Sequence, residues 1–214
     1  MSDIFQEVDE EIRQENYARL FKRYGVYLIG LAVVLVLGVA GYQAWQAYDL
    51  DRRSTLSNSY AAIEAQIAEG EIEAAQAGLS EISDPSDRGY GLLAAFTQAR
   101  LLSEAGQTAE AVAIWDEIAA KSRDGEVFKS IATLLSVMHQ IDDGDPATLK
   151  DRLAPLTESG QAFRASALEL SALLSIKQGD VEQARSQLEA LSQDLFAPAA
   201  LRERAGQLLN SLTN

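Results

Sequence analysis

The stretch AGQTAEAVAIWDEI, residues 105–118, combines one glycine with apolar residues at helical spacing. Gly106 is followed five residues later by Ala111, and Trp115 and Ile118 lie four and seven residues after that alanine. Glycine often ends a helix because it adopts the left-handed conformation without strain. Side chains at i, i+4 and i+7 share one helical face. The stretch therefore predicts a helix end, a tight turn and a second helix that packs back on the first.

The same pattern occurs around Gly70, Gly144 and Gly179, and the four glycines are spaced 36, 38 and 35 residues apart. Each glycine is followed at the same three positions by a small or apolar residue and two larger ones: Ala75, Leu79 and Ile82; Leu149, Leu153 and Leu156; Ala184, Leu188 and Leu191. Each unit predicts a helical hairpin, which cannot bury its apolar stripe alone. Successive hairpins must therefore stack into a solenoid.

The Gly, Ala and Trp of AGQTAEAVAIW and the Gly and Ala of KQGDVEQA, residues 177–184, resemble the tetratricopeptide repeat, whose period is about 34 residues. The resemblance covers roughly residues 55–212. The Gly144 unit departs from it, with Pro146 in the turn and Leu149 in place of alanine. Because prolines are few and alanine and leucine are abundant, we predict an all-α fold. The resemblance implies that its helical hairpins form a tetratricopeptide-like solenoid.

Residues 24–48, YGVYLIGLAVVLVLGVAGYQAWQAY, carry no charge. A helix of this length would measure roughly 37 Å, enough to cross a hydrocarbon layer of about 30 Å. We interpret it as an uncleaved transmembrane helix, with a cleaved signal peptide and a buried core helix as the alternatives. No proline and no late glycine follows before Glu69, so the helix is expected to run on into the first repeat helix.

Charged residues on either side of the apolar segment predict its orientation. Four basic residues precede it (Arg13, Arg19, Lys22 and Arg23), whereas only Arg52 and Arg53 follow it closely. This bias favours a cytoplasmic amino terminus and an exported carboxyl part. Residues 1–23 are then a cytoplasmic tail, either a short amphipathic helix with Ile4, Phe5, Val8 and Ile12 on one face or disordered.

Residues 49–214 form the predicted exported domain. They contain 26 acidic and 14 basic residues, a net charge of −12, which makes nucleic acid and anionic lipid poor partners. Cysteine is absent, so disulfides and thiolate metal sites are excluded.

No catalytic or metal-binding pattern emerges from the titratable residues. His139 is the only histidine, and the DDGD run at residues 142–145 lacks the ligand spacing of a calcium loop. We interpret His139 as an ordinary helix residue and the run as a turn with a helix amino-cap. The sequence predicts no enzyme activity, no cofactor and no small-molecule substrate. An enzyme with an acidic active site is the alternative from a different functional class.

A binding surface remains, because the first helix of each stacked hairpin lines the concave side. Residues ten and six before each glycine are candidates for a peptide groove: Tyr60 and Glu64, Phe96 and Arg100, Leu134 and Met138, Glu169 and Leu173. A mixture of aromatic, Met and Leu side chains suits extended or helical peptide segments. The other interpretation is that several of these residues fill the core between hairpins.

The whole layout of acidic tail, one span and divergent hairpins is similar to the bacterial ancillary subunit of the SecYEG translocon. That resemblance implies an inner-membrane protein with a periplasmic repeat domain, which passes exported chains from the translocon to periplasmic chaperones. A membrane-tethered scaffold for an envelope or division complex is the alternative.

Overall fold

The computed structural model describes the backbone of residues 3–212 and the side chains of residues 22–212. Within that range the chain is helical, with no strand. It divides into two compact units, Met1–Ser54 and Thr55–Asn214. The predicted stripe of Ile4, Phe5, Val8 and Ile12 lies outside the residues whose side chains are described.

Helix α1 runs from Asp3 to Glu69 without interruption. The predicted continuation of the apolar helix into the first repeat helix is therefore confirmed, because α1 has no break at residues 49–54. Over the most apolar 18 residues of the Lys22–Glu69 part the mean hydropathy is 2.2, and almost none of this surface is covered by protein. Val26 and Leu37 are 79% and 66% exposed. The core-helix interpretation is therefore wrong, and this part of α1 is long and apolar enough to span a membrane.

The remaining helices are short and follow one another through tight turns. In chain order they are α2 (Ile72–Ile82), α3 (Tyr90–Glu104), α4 (Thr108–Lys121), α5 (Glu126–His139), α6 (Pro146–Leu153), a 3-10 helix (Ala154–Thr157), α7 (Arg164–Lys177), α8 (Val181–Gln193) and α9 (Ala199–Ser211). The end of α1 and α2 form the first hairpin, and the pairs α3–α4, α5–α6 and α7–α8 form the next three.

Three of the four repeat glycines end helices as the spacing predicts. Gly70, Gly106 and Gly179 have φ values of 82°, 78° and 79°, in the left-handed region that favours glycine. The same prediction is wrong for Gly144, which is not among the glycines of positive φ. A Cβ atom at Gly144 would lie 2.8 Å from the carbonyl oxygen of Gln140 and 2.8 Å from Cδ1 of Leu149. Gly144 is thus needed for space between the two helices.

The core lies between neighbouring hairpins. The fifth residue after each glycine is buried in every unit: Ala75, Ala111, Leu149 and Ala184. The residues four positions later, Leu79, Trp115, Leu153 and Leu188, are buried as well. In the third hairpin Leu149 packs with Leu134, Val137 and Leu153, so a leucine fills the place that alanine has elsewhere. The predicted all-α fold, one long apolar helix followed by tetratricopeptide-like hairpins, is confirmed.

Candidate functional site

A cavity of about 340 Å³ opens between α3, α4 and α5. Its lining is mainly apolar and aromatic, with a few charged residues at the edge: Phe96, Thr97, Arg100, Ser103, Glu104, Trp115, Leu135 and His139. Of the eight residues that the sequence predicted for a groove, two line this cavity, Phe96 and Arg100. We call it the α3–α5 groove.

The floor of the α3–α5 groove is part of the hydrophobic core. Trp115 is 2% exposed and packs in one cluster with Leu92, Ala111 and Ile118. Phe96 and Leu135 are half-buried and pack against the same cluster. A buried apolar floor with exposed charged residues at its edge can accept an apolar side chain of a bound polypeptide segment.

The α5 residues that line the groove differ from the two predicted there. Leu134 is 9% exposed and packs in the core between α5, α6 and α7, so its assignment to a groove is wrong. Met138 is 44% exposed and does not line the cavity. Leu135 and His139 line it instead.

The predicted and observed α5 residues differ because the turn between α5 and α6 is longer than the turn between α3 and α4. Three residues, 105–107, separate α3 from α4, whereas six residues, 140–145, separate α5 from α6. Counting ten and six residues back from Gly144 therefore selects α5 residues that lie three positions nearer the end of their helix than the residues selected on α3. At 100° per residue, three residues correspond to 300°, which places the chosen side chains about 60° away from the intended face. Counted from the end of each helix, Leu135 of α5 is equivalent to Arg100 of α3, since each lies four residues before the last helical residue.

The remaining predicted groove residues do not line the cavity, although Tyr60 contacts Thr97 of the lining. Tyr60 is half-buried and Glu64 is exposed, both near the end of α1. Leu173 is half-buried on α7. Glu169 holds Arg204 of α9 through a two-bond pair, with Nε to Oε1 at 2.7 Å and a terminal nitrogen to Oε2 at 2.8 Å. That pairing joins α7 to α9 and leaves Glu169 occupied within the protein.

Three aromatic contacts join helices of the first three hairpins. The ring centroids of Tyr60 and Tyr90 are 5.8 Å apart, and those of Phe96 and Phe128 are 6.2 Å apart. Trp115 and His139 are closer, at 4.5 Å. The Nδ1 atom of His139 donates to the carbonyl oxygen of Leu135 at 2.9 Å, because a carbonyl can only accept. Sequence spacing within one helix could not reveal these pairs, because each joins different helices.

Polar contacts link the end of α1 to the edge of the groove. The hydroxyl groups of Tyr60 and Thr97 are 2.9 Å apart. Burial raises the pKa of the Tyr60 phenol, and the bond to Thr97 partly opposes that rise. The carboxylate of Glu64 also raises the pKa of Tyr60, and the guanidinium of Arg100 lowers it. Arg100 also donates to Glu104 at 2.8 Å.

The DDGD run has the structural role that the sequence predicted. Asp145 precedes α6, and its carboxylate accepts from the backbone N–H of Thr148 at 2.9 Å, which caps the helix. Among the side chains of residues 22–212, no group of three or more His, Cys, Asp or Glu residues is placed to hold a metal ion. His139 is instead packed against Trp115.

Stacked helical hairpins with a concave groove define the class of helical-repeat solenoids. The profile of the tetratricopeptide repeat-like domain family matches residues 18–212, so the chain belongs to that family. Domains of this kind generally mediate protein–protein interactions. Neither the curated proteins nor the solved structures yielded a match.

Proposed function

We propose that this chain is a single-pass inner-membrane protein whose repeat domain binds polypeptide segments in the periplasm. Residues 1–23 would be its cytoplasmic tail, 24–48 its span and 49–214 its periplasmic domain. The exposed apolar surface of α1 supports an anchor, and the four basic residues before the span support a cytoplasmic amino terminus. The family match begins at residue 18, so the family profile includes the apolar helix together with the hairpins.

The observation that carries the binding proposal is the α3–α5 groove. Its apolar floor has room for one large side chain, and its edge is polar. Phe96 and Leu135 are half-buried and provide apolar contact area, while Arg100 and Glu104 can contact the backbone of a bound segment. We propose the groove as the place where exported chains are held.

The resemblance of the layout to the ancillary translocon subunit supports a role beside the SecYEG channel. In that role the groove takes emerging chains and passes them to periplasmic chaperones. The anchor keeps the domain near the channel exit, which raises the local concentration of groove and client. A scaffold for an envelope or division complex would have the same anchor but different neighbours.

Copurification separates these roles. The full chain is extracted from membranes in mild detergent and its partners are identified. Recovery of translocon subunits and periplasmic chaperones supports the proposal. Recovery of envelope-synthesis or division proteins without translocon subunits contradicts it in favour of the scaffold.

In-cell crosslinking tests the groove itself. A photoreactive residue replaces Arg100 at the groove, and the control carries it at Glu189, an exposed position on α8. We expect crosslinks to newly exported chains from position 100 and few from position 189. Equal crosslinking from both positions would exclude the groove as the binding site.

A reporter fused after residue 214 checks the topology, and activity of a cytoplasm-only reporter would contradict the periplasmic assignment.

A further inference from the structure

Acidic and aromatic residues line the α3–α5 groove or lie beside it, among them Glu104, Phe96 and Tyr60. From them we infer that the groove selects polypeptide segments in which an apolar side chain is flanked by lysine or arginine. This inference rests on the proposed function, since it names the chemistry of the segment that the groove holds. It is argued from three features: the charge of the whole domain, the charges at the edge of the groove and the aromatic rings beside it.

The charge of the domain favours basic segments at long range. Residues 49–214 have a net charge of −12. Such a surface raises the local concentration of cationic segments and lowers that of anionic ones, over a distance of about 8–10 Å at physiological salt. A segment rich in Asp or Glu would be repelled before it reached the groove.

The charge at the edge of the groove is also negative. Arg100 is the only Lys or Arg among the described residues that line the cavity, and its guanidinium donates to Glu104 at 2.8 Å. Glu64 lies one helical turn after Tyr60 on α1, and the Tyr60 hydroxyl is 2.9 Å from that of Thr97, which lines the cavity. Two exposed carboxylates therefore accompany one guanidinium, and the edge is left with an excess of negative charge. A lysine or arginine of a bound segment can pair with these carboxylates at the exposed edge, and no buried cation has to move.

The aromatic rings add a second attraction for cations. Tyr90 is 37% exposed, and Tyr60, Phe96 and Phe128 are half-buried. Phe96 lines the groove and packs against Phe128. Tyr60 packs against Tyr90 and contacts Thr97 of the lining. The face of an aromatic ring attracts an ammonium or guanidinium group. Apolar floor, acidic edge and aromatic sides together fit a segment in which a Phe or Leu is flanked by basic residues.

Peptide binding to the full chain in detergent micelles tests this inference. Three dye-labelled peptides are compared by fluorescence anisotropy. The first has a Leu-Phe-Leu centre flanked by lysines, the second has the same centre flanked by glutamates, and the third has the lysine flanks with a Gly-Ser-Gly centre. We expect the first to bind at least roughly tenfold more tightly than the second at about 50 mM salt, and the ratio to fall toward one at about 500 mM salt. The third should bind at least roughly tenfold more weakly than the first, because it lacks the apolar anchor.

A charge-reversal pair locates the selectivity. Glu104→Lys changes the edge of the groove, and Glu189→Lys makes the same change in net charge at an exposed site on α8. We expect Glu104→Lys to reduce the preference for the lysine-flanked peptide at least threefold more than Glu189→Lys does. Both positions are exposed, so both variants should keep the wild-type circular dichroism spectrum.

The outcomes distinguish the inference from the proposed function. If both peptides with the Leu-Phe-Leu centre bind equally and Leu135→Asp weakens both, the groove binds polypeptide but the charge selectivity is wrong. Because Leu135 packs against the core, Ser103→Trp is a second way to block the cavity. Tight binding of the Gly-Ser-Gly peptide, or equal effects of the two charge reversals, would also overturn the inference. If no peptide binds, both the inference and the proposed function are contradicted.

Discussion

The ring of Trp115 lies against the ring of His139, with centroids 4.5 Å apart and planes inclined by 38°. Trp115 belongs to α4 and His139 is the last residue of α5, so this contact joins two successive hairpins. The same two rings line the α3–α5 groove. The core of the second hairpin and the proposed binding site therefore share a side chain.

Truncation of Trp115 should be among the most destabilising single changes in the domain. Trp115→Ala removes a side chain that is 98% buried and is expected to lower the free energy of unfolding by about 3–5 kcal/mol. Trp115→Phe should cost less, because an aromatic ring remains and the buried Nε1 atom, which has no hydrogen-bond partner in the described part of the chain, is removed. Urea unfolding of the full chain in detergent, followed by circular dichroism, measures both. A Phe variant as unstable as the Ala variant would contradict this account.

A polar cluster should stabilise the contact between the second and third hairpins. Ser136 of α5 is fully buried, and its hydroxyl donates to Asp116 at 2.5 Å and accepts from Gln140 at 2.9 Å. Arg152 of α6 also contacts Asp116. Ser136→Ala removes a hydrogen-bond partner from both Asp116 and Gln140. We expect this to lower the free energy of unfolding by about 1–3 kcal/mol. Ser80→Ala, at an exposed serine that bonds only locally, is the matched control and should have little effect.

Two glycines should respond to alanine in opposite directions. Gly144→Ala places a methyl group 2.8 Å from the Gln140 carbonyl oxygen and should destabilise the fold by about 1–3 kcal/mol. Gly206 lies within α9 with nothing within 4 Å of an added Cβ atom. Gly206→Ala should therefore stabilise the chain by about 0.5–1 kcal/mol, because alanine favours the helix. Unfolding temperatures of the two variants should lie on either side of that of the unaltered chain, and a shared direction would refute the distinction.

The cap of α6 should make stability depend on pH. Hydrogen bonds from the hydroxyl and the backbone N–H of Thr148 hold the pKa of Asp145 below its ordinary value of 3.8. A carboxyl group with a lowered pKa stabilises the folded chain above its unfolded pKa and loses that effect as the pH falls through the folded value. Asp145→Ala should thus lower the unfolding temperature at pH 7, and the difference should shrink as the pH falls from about 4 to about 2. Asn can cap without ionising, so Asp145→Asn should keep most of the stability at pH 7 and show no such pH dependence.

Glycine spacing predicted the hairpins, but it did not select the α5 residues that line the α3–α5 groove. Ala75, Ala111, Leu149 and Ala184 all lie in the core, because the second helix of each hairpin starts at a nearly constant distance from the glycine. The first helix of the third hairpin does not keep that distance, since residues 140–145 form a longer turn. Nothing local in the sequence marks the end of α5 at His139, so counting from Gly144 selects Met138 where counting from the end of the helix selects Leu135.

The groove also depends on contacts that periodicity does not encode. The pairing of Trp115 with His139, and of Phe96 with Phe128, depends on how one hairpin is rotated against the next. That rotation results from the packing of several side chains at once, among them Ala99, Ala111 and Ala132. The sequence of a single helix does not encode this rotation. Small residues at these positions indicate close approach, but they leave the angle of approach open.

Across residues 55–212, helices in extensive contact are neighbours or next neighbours along the chain. Folding of this domain therefore requires no closure of long loops, so it can begin in one hairpin and spread to the next. The residues that line the α3–α5 groove all lie within residues 90–139, and Tyr60 and Glu64 beside it precede them in the chain. A chain emerging from its own synthesis could complete the groove before α7 to α9 are made. If residues 90–139 of nascent chains stayed protease-sensitive until α7 to α9 had been made, this order would be contradicted.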